Sequence, residues 1–336
     1  MKKRYWLGTL SASALGAFVA AKLLLRPSDV EWEANRETIF NAEYSRFTEV
    51  DGVRMHYQEA GDAGAAPMIL IHGFAASTLV WSKVFLELAA ADGPHKLGEP
   101  EGRPHTQGVL TGFRVIAPDL PGYGYSAKPR DHEYTIAGQA KIVVSFLRQL
   151  GIERAILVGS SYGAAIAATI ALDHPALVEK LVLVGAVTNN KPTRYLLMRL
   201  FGSPIIGDIL SPLVVGSRRL LRLRMKRVYD RHSWQLDEKR VEARHLPLAT
   251  RGAHRAVIRT VRRWDAERVS REAHLLTQPT MLVWGDTDRE VPLADGEELH
   301  RNISRSRLVV FRDCGHLPQE EYPEAFTKLV AEYCAN

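Results

Sequence analysis

Two apolar patterns alternate along most of this chain. Met68-Ile69-Leu70-Ile71, Val115-Ile116-Ala117, Ala155-Ile156-Leu157-Val158, Leu181-Val182-Leu183-Val184, Met281-Leu282-Val283-Trp284 and Leu308-Val309-Val310-Phe311 are short, unbroken apolar runs. Their length and composition predict buried strands. Helices are expected over Leu79 to Ala90 and Ile136 to Leu150, and over the small residues Ala164-Ala165-Ile166-Ala167-Ala168. Phe47 to Tyr57 reads instead as a hairpin turning at Asp51-Gly52. Alternating strands and helices predict an α/β fold with a mostly parallel, doubly wound sheet.

The alternation fails in two internal places. Asp92 to Gly112 is rich in Gly, Pro and His and reads as a surface insertion. Thr188 to Arg263 is a longer interruption with helical apolar runs at Tyr195-Leu196-Leu197-Met198, Ile205-Ile206, Ile209-Leu210 and Leu213-Val214-Val215. The start of the chain is different again. Met1-Lys2-Lys3-Arg4 is basic, and Tyr5 to Leu25 is apolar or small apart from Lys22. About 20 such residues span a bilayer. Residues 1–28 read as an uncleaved signal anchor; the competing reading is a cleaved signal peptide with Val19-Ala20-Ala21 at its site. The basic head predicts a cytoplasmic N-terminus, and so an extracytoplasmic catalytic domain, or a periplasmic or secreted one after cleavage. The expected organisation is an anchor at 1–28, a linker at 29–45, a core at 46–187 and 264–336, and a helical insertion at 188–263.

Candidate chemistry sits just past the strands. Gly159-Ser160-Ser161-Tyr162-Gly163 joins one predicted strand to a helix, which is the setting of a nucleophile elbow at Ser161. A serine hydroxyl needs a base, usually His, and a carboxylate to orient that base. Two later loops hold such groups, Gly285-Asp286-Thr287-Asp288 and Asp313-Cys314-Gly315-His316. Both follow strand C-terminal ends, where an open α/β sheet builds its site. After the first core strand come His72-Gly73-Phe74, and the Phe74 N–H can pair with that of Tyr162 as an oxyanion hole. One such donor stabilises the transition state by about 3–4 kcal/mol.

Together with Pro118-Asp119-Leu120-Pro121-Gly122-Tyr123-Gly124-Tyr125-Ser126, these motifs resemble the α/β-hydrolase family from about Phe47 to the C-terminus. The resemblance implies Ser161 as nucleophile, Asp288 as acid, His316 as base, and Phe74 with Tyr162 as the hole. Asp286 is the rival acid; the family spacing favours Asp288. Asp119 reads as a turn residue, His72 resembles the family's structural histidine, and His174 reads as a helix-end packing residue. The resemblance also implies that 188–263 is a cap over the site, as in membrane-anchored monoacylglycerol lipases and phospholipases.

Composition narrows the class. Cys314 and Cys334 cannot make a disulfide framework; they read as buried free thiols, the alternative being a single pair with each other if the protein is exported. No phosphate loop, Cys-x-x-Cys or His-Glu-x-x-His is present, so neither a cofactor nor a metal is expected. The whole chain is +6, yet Thr188 to Arg271 holds 20 Lys and Arg against 7 Asp and Glu. Without a recognition motif this does not indicate nucleic acid. It reads as a solvated face or as a surface resting on anionic lipid. Serine at the elbow argues against the dehalogenase and epoxide-hydrolase branches. The Gly-Pro-Gly of carbon–carbon bond hydrolases is missing after His72. A carboxylic ester hydrolase with a small ester or lipid substrate is the expectation. The alternatives are an acyltransferase with the same triad and a non-catalytic binding protein. Oligomeric state is not legible.

Overall fold

The computed structural model describes residues 27–90, 112–190, 214–229, 231–232 and 236–335, with Ser203, Gly207 and Ser211. Residues 1–26 of the expected 1–28 anchor, residues 92–111 of the expected 92–112 insertion and most of 191–213 lie outside them. Among the described residues, no helix is long and apolar enough to cross a membrane.

Eight strands form one sheet among the described residues: β1 (Ser45–Val50), β2 (Val53–Ala60), β3 (Pro67–Ile71), β4 (Arg114–Pro118), β5 (Ala155–Ser160), β6 (Val178–Val184), β7 (Thr280–Gly285) and β8 (Ser306–Phe311). Their order is β1-β2-β4-β3-β5-β6-β7-β8. Only the β1–β2 and β2–β4 pairings are antiparallel. The helices are α1 (Phe85–Ala89), α2 (Ile136–Gln149), α3 (Tyr162–Asp173), α4 (Arg218–Val228), α5 (Glu238–Leu248), α6 (Arg251–Arg262), α7 (Glu267–Glu272), α8 (Leu293–Asn302), α9 (Pro318–Glu321) and α10 (Pro323–Ala335).

The unbroken apolar runs follow from burial on both faces. Ile69, Leu157, Leu181, Leu183, Leu282 and Trp284 join the core under α2 and α3. Their strand neighbours Met68, Ile156, Val158, Val182, Met281 and Val283 face the opposite core, with Trp81, Phe85 and Phe326. Strand period 2 divides each run between the two layers. The β1–β2 hairpin turns at Asp51 and Gly52, with φ of 49° and 75°. Both values suit a two-residue primed turn, where Gly carries no strain.

Two local expectations differ in detail. The helix expected over 79–90 is a 3-10 turn (Thr78–Trp81) followed by the short α1. Trp81, Val84, Phe85 and Leu88 all bury in one core cluster. That packing, rather than helical propensity, sets the break. The last two residues of the expected 1–28 anchor and the expected linker after them are fastened down. The Arg251 and Gly252 N–H groups donate to the carbonyls of Pro27 (3.0 Å) and Ser28 (3.1 Å). Asp29 pairs with the buried Lys128. Gln58 Nε2 donates to the Phe40 carbonyl at 2.6 Å.

Candidate active site

The strand order reverses between β3 and β5: the chain leaves β3 toward β4, then returns to the other side of β3 for β5. The C-terminal ends of these two strands carry the Gly73–Phe74 loop and Ser161, at the switch point where open sheets bind ligands.

Ser161 has φ 56° and ψ −115°, a conformation an L-residue adopts only under strain. Its neighbours explain how the turn closes. A Cβ on Gly159 would lie 2.4 Å from the Gly163 carbonyl oxygen, and one on Gly163 would lie 2.2 Å from that of Ile71. Both positions therefore require glycine. Ser161 N–H donates to the Val184 carbonyl at 2.8 Å, which ties the turn to β6. Helix α3 is buried almost throughout by its small residues, so it sits directly on the sheet and holds the turn.

Structure brings together Asp288 and His316, 28 residues apart. His316 Nδ1 lies 2.7 Å from Asp288 Oδ2, and both side chains are buried. Asp288 Oδ1 accepts from the N–H groups of Glu290 (2.7 Å) and Val291 (2.9 Å). The carboxylate is thus held on both oxygens. Asp286 is exposed, and its Oδ1 accepts from the Cys314 N–H at 3.3 Å. It shapes the neighbouring loop and does not contact the imidazole. Burial pulls the His316 pKa down, but the Asp288 charge and hydrogen bond, with Glu290 behind them, more than offset this and raise it.

The Phe74 N–H follows β3, and Tyr162 is the first residue of α3, where an N–H has no partner in the helix ladder. His72 braces the first of these loops. Its Nδ1 donates to the Gly73 carbonyl (2.8 Å), and its Nε2 accepts from the Leu120 N–H (2.9 Å). Burial holds this imidazole neutral, as the two bonds require. Asp119 accepts from His56, Thr78 N–H and Tyr125 N–H, so it is a buried knot in the β4 loop. His174 caps the end of α3. The Cys314 thiol is free and pushed far up by burial, and Cys334 is free and pushed up to about 12.

A cavity of about 770 Å³ opens on these residues. Gly73, Phe74, Ser161 and His316 line it, with a largely apolar wall that includes Leu221, Met225, Leu248 and Val257 from the helices between β6 and β7. That size and lining fit a small-molecule site. A second hollow of about 490 Å³, lined by Glu153 and His174, lies by the N-terminal ends of β5 and β6, the opposite ends from this chemistry.

Several residues that shape the site carry no motif. Trp264 packs edge-on to Phe74 at 5.6 Å and tilted on Tyr162 at 5.3 Å. It packs against both of the residues expected to form the oxyanion hole. Glu321 accepts from Gly315 N–H (3.0 Å) and Leu317 N–H (3.2 Å), bracketing His316. His316 N–H itself donates to the Val228 carbonyl at the end of α4 (3.0 Å). Glu320, on the same short α9, pairs with Arg240 and Arg244 of α5. A carboxylate four residues after a histidine is the only sequence signal for this pairing.

A family profile described as alpha/beta hydrolase fold matches residues 66–323. The chain belongs to the α/β-hydrolase family. It is 28% identical over 292 residues to the uncharacterized hydrolase YugF of Bacillus subtilis (strain 168), covering 86% of this chain and 96% of that one. It is 30% identical to the 2-hydroxymuconate semialdehyde hydrolase of Pseudomonas putida, over 84% of this chain and 92% of that one. Among solved structures it resembles a membrane phospholipase A described as a bacterial virulence factor, with a TM-score of 0.70, 24% identity, and 99% and 98% of the two chains covered. That likeness speaks to the fold alone.

Proposed function

We propose that this hydrolase cleaves carboxylic esters through an acyl-enzyme on Ser161, and that its substrates are lipid-like. The observation that carries the proposal is the buried Asp288–His316 pair at 2.7 Å, opening with the strained Ser161 into one apolar cavity. His316 Nδ1–H donates to Asp288, which leaves the Nε2 lone pair free to take the Ser161 Oγ proton. Oγ attacks the ester carbonyl carbon, and the N–H groups of Phe74 and Tyr162 receive the oxyanion. Collapse breaks the acyl–oxygen bond, and His316 returns the proton to the departing alcohol. Water then gives His316 a proton and attacks the acyl group, releasing the acid and Ser161.

The raised His316 pKa sets the pH dependence. Only the neutral imidazole can accept the serine proton, so activity should be lost as pH falls through a value above about 6.5. A pH profile of kcat/KM on p-nitrophenyl hexanoate checks this. Asp288→Asn removes the charge that raises the pKa, so the acid limb should move down. A limb below 6 in the native enzyme would contradict the assignment.

A carbon–carbon bond hydrolase is the second reading, favoured by the 30% identity to the Pseudomonas putida enzyme. The residues after Gly73 are Phe74-Ala75-Ala76, without the Gly-Pro-Gly of that branch. Loss of the yellow colour of 2-hydroxymuconate semialdehyde would reveal such activity. Product analysis with added alcohols separates hydrolysis from acyl transfer.

We also propose that the N-terminal span anchors the protein, with the helices between β6 and β7 toward the bilayer. Val214, Leu220 and Leu223 are exposed there, beside exposed Arg219 and Lys226. Full-length protein should pellet with membranes and resist high-salt extraction. Protein beginning at Arg26, which keeps the Pro27–Asp29 contacts, should be soluble and still cleave p-nitrophenyl hexanoate. A mature N-terminus at Lys22 would replace the anchor with a cleaved signal peptide.

A further inference from the structure

We propose that the cavity contains a subsite for an anionic group on the substrate, a carboxylate or a phosphate, and that Arg224 binds it. The inference rests on the ester-hydrolase reading of the same cavity and adds the charge of its substrate.

Helix α4 presents Leu221, Arg224, Met225, Arg227 and Val228 to the cavity. With Arg227 at the margin, the other four fall at i, i+3, i+4 and i+7, one stripe of a helix. Three of the four are apolar, as a helix face over an apolar pocket requires. Arg224 breaks the pattern at its centre. Such breaks of a local rule concentrate at functional sites.

The other cations of the wall are already engaged. Arg244 is paired with the buried Glu320. Arg227 Nε lies 3.8 Å from Glu290 Oε1, and Glu290 is the one carboxylate in the cavity wall among the described residues. Arg224 has no hydrogen-bond or ion-pair partner among the described residues. Its charge nevertheless reaches the chemistry, because it opposes Asp288 and Glu290 in setting the protonation of His316. A guanidinium in this position has donors to offer and no acceptor among the described residues. The matching ligand is a planar carboxylate or a phosphate oxygen pair.

The test compares esters that differ only in that charge. Mono-p-nitrophenyl adipate and p-nitrophenyl hexanoate share an acyl length, and one ends in a carboxylate. The native enzyme should favour the adipate ester in kcat/KM. Arg224→Gln should lower that preference roughly ten- to hundred-fold, mainly through KM for the adipate ester, as expected for a charge-assisted hydrogen bond. Arg224→Lys should retain part of it. Lysophosphatidylglycerol and 1-monoacylglycerol form the lipid arm. A loss confined to the adipate pair identifies a free carboxylate, and one confined to the lipid pair identifies a headgroup phosphate. Unchanged preference in both arms overturns the subsite.

Two readouts separate the subsite from the ester-hydrolase reading and from a packing role. The four compounds can be titrated calorimetrically into Ser161→Ala protein, so the anionic preference is scored even where turnover fails. Binding without preference there overturns the subsite. Arg224→Gln should also move the acid limb of the p-nitrophenyl hexanoate profile to higher pH, because a positive charge facing His316 is gone while Asp288 and Glu290 remain. A residue that merely packed would leave that limb in place.

Discussion

Ser161→Ala and His316→Ala are each expected to lower ester hydrolysis by about 10⁶, the loss seen when a serine–histidine pair is broken. The reason is cooperative. Without Oγ no acyl-enzyme forms, and without Nε2 the serine keeps its proton. Asp288→Asn should cost about 10⁴, because an amide at that position favours the wrong imidazole tautomer. Asp286→Asn should be mild, since that side chain is exposed and accepts from the Cys314 N–H rather than from the imidazole. Ser160→Ala should also be mild: its Oγ accepts from Gln319 Nε2 at 3.3 Å, a single neutral bond. Steady-state rates on p-nitrophenyl hexanoate, with circular dichroism to verify folding, decide the matter. A crippled Asp286→Asn enzyme beside an active Asp288→Asn enzyme would reverse the acid assignment.

Glu320→Gln is expected to destabilise the fold by about 3–5 kcal/mol, the usual cost of removing one partner from a buried ion pair. Glu320 is fully buried and lies 2.7 Å from Arg240; Arg244 and the Tyr229 hydroxyl complete its shell. Removing the carboxylate charge leaves two buried guanidinium groups without compensation. Burial alone would raise the Glu320 pKa, but Arg244 and Arg240 depress it below the ordinary carboxylate range. Its contribution is therefore present above the unfolded value and lost as pH falls through the folded one. Denaturant unfolding near pH 7 and below pH 4 should show this loss in the native protein and little of it in Glu320→Gln. Replacing Glu320, Arg240 and Arg244 together by Met, Leu and Leu should recover much of the stability, because no uncompensated charge remains. Activity should suffer in the single variant too. Glu320 joins α5 to the loop that carries His316, and the His316 N–H is bonded to the end of α4. Recovery failing in the triple variant would mean that the network acts through something other than charge balance.

Much of this molecule was legible in its linear pattern, for a local reason. Buried parallel strands must be apolar on both faces, so β3 to β7 show as unbroken runs and the sheet type follows. The elbow is legible because a close turn needs glycine at two fixed positions, and steric contact at Gly159 and Gly163 is a short-range matter. Asp288 and His316 could be named from motifs, since each sits in a loop just after a strand. The family spacing already favours Asp288 over Asp286; the tertiary structure adds the physical reason, since it is the Asp288 carboxylate that turns inward to the imidazole while Asp286 is exposed. Folding decided that Pro27 to Tyr44 is strapped to the sheet and to the helices between β6 and β7, and that the helix over 79–90 breaks. The Glu320 network was out of reach for a physical reason. Its partners lie 76 and 80 residues away on a helix whose charges otherwise look solvated. Nothing local marks which arginine of a basic segment will be buried and paired. The same is true of Arg224, an ordinary member of a basic run until the fold turns its stripe toward the cavity. Local sterics and strand burial are written in neighbouring residues; the pairing of charges across the chain is settled only when the packed elements remove them from water.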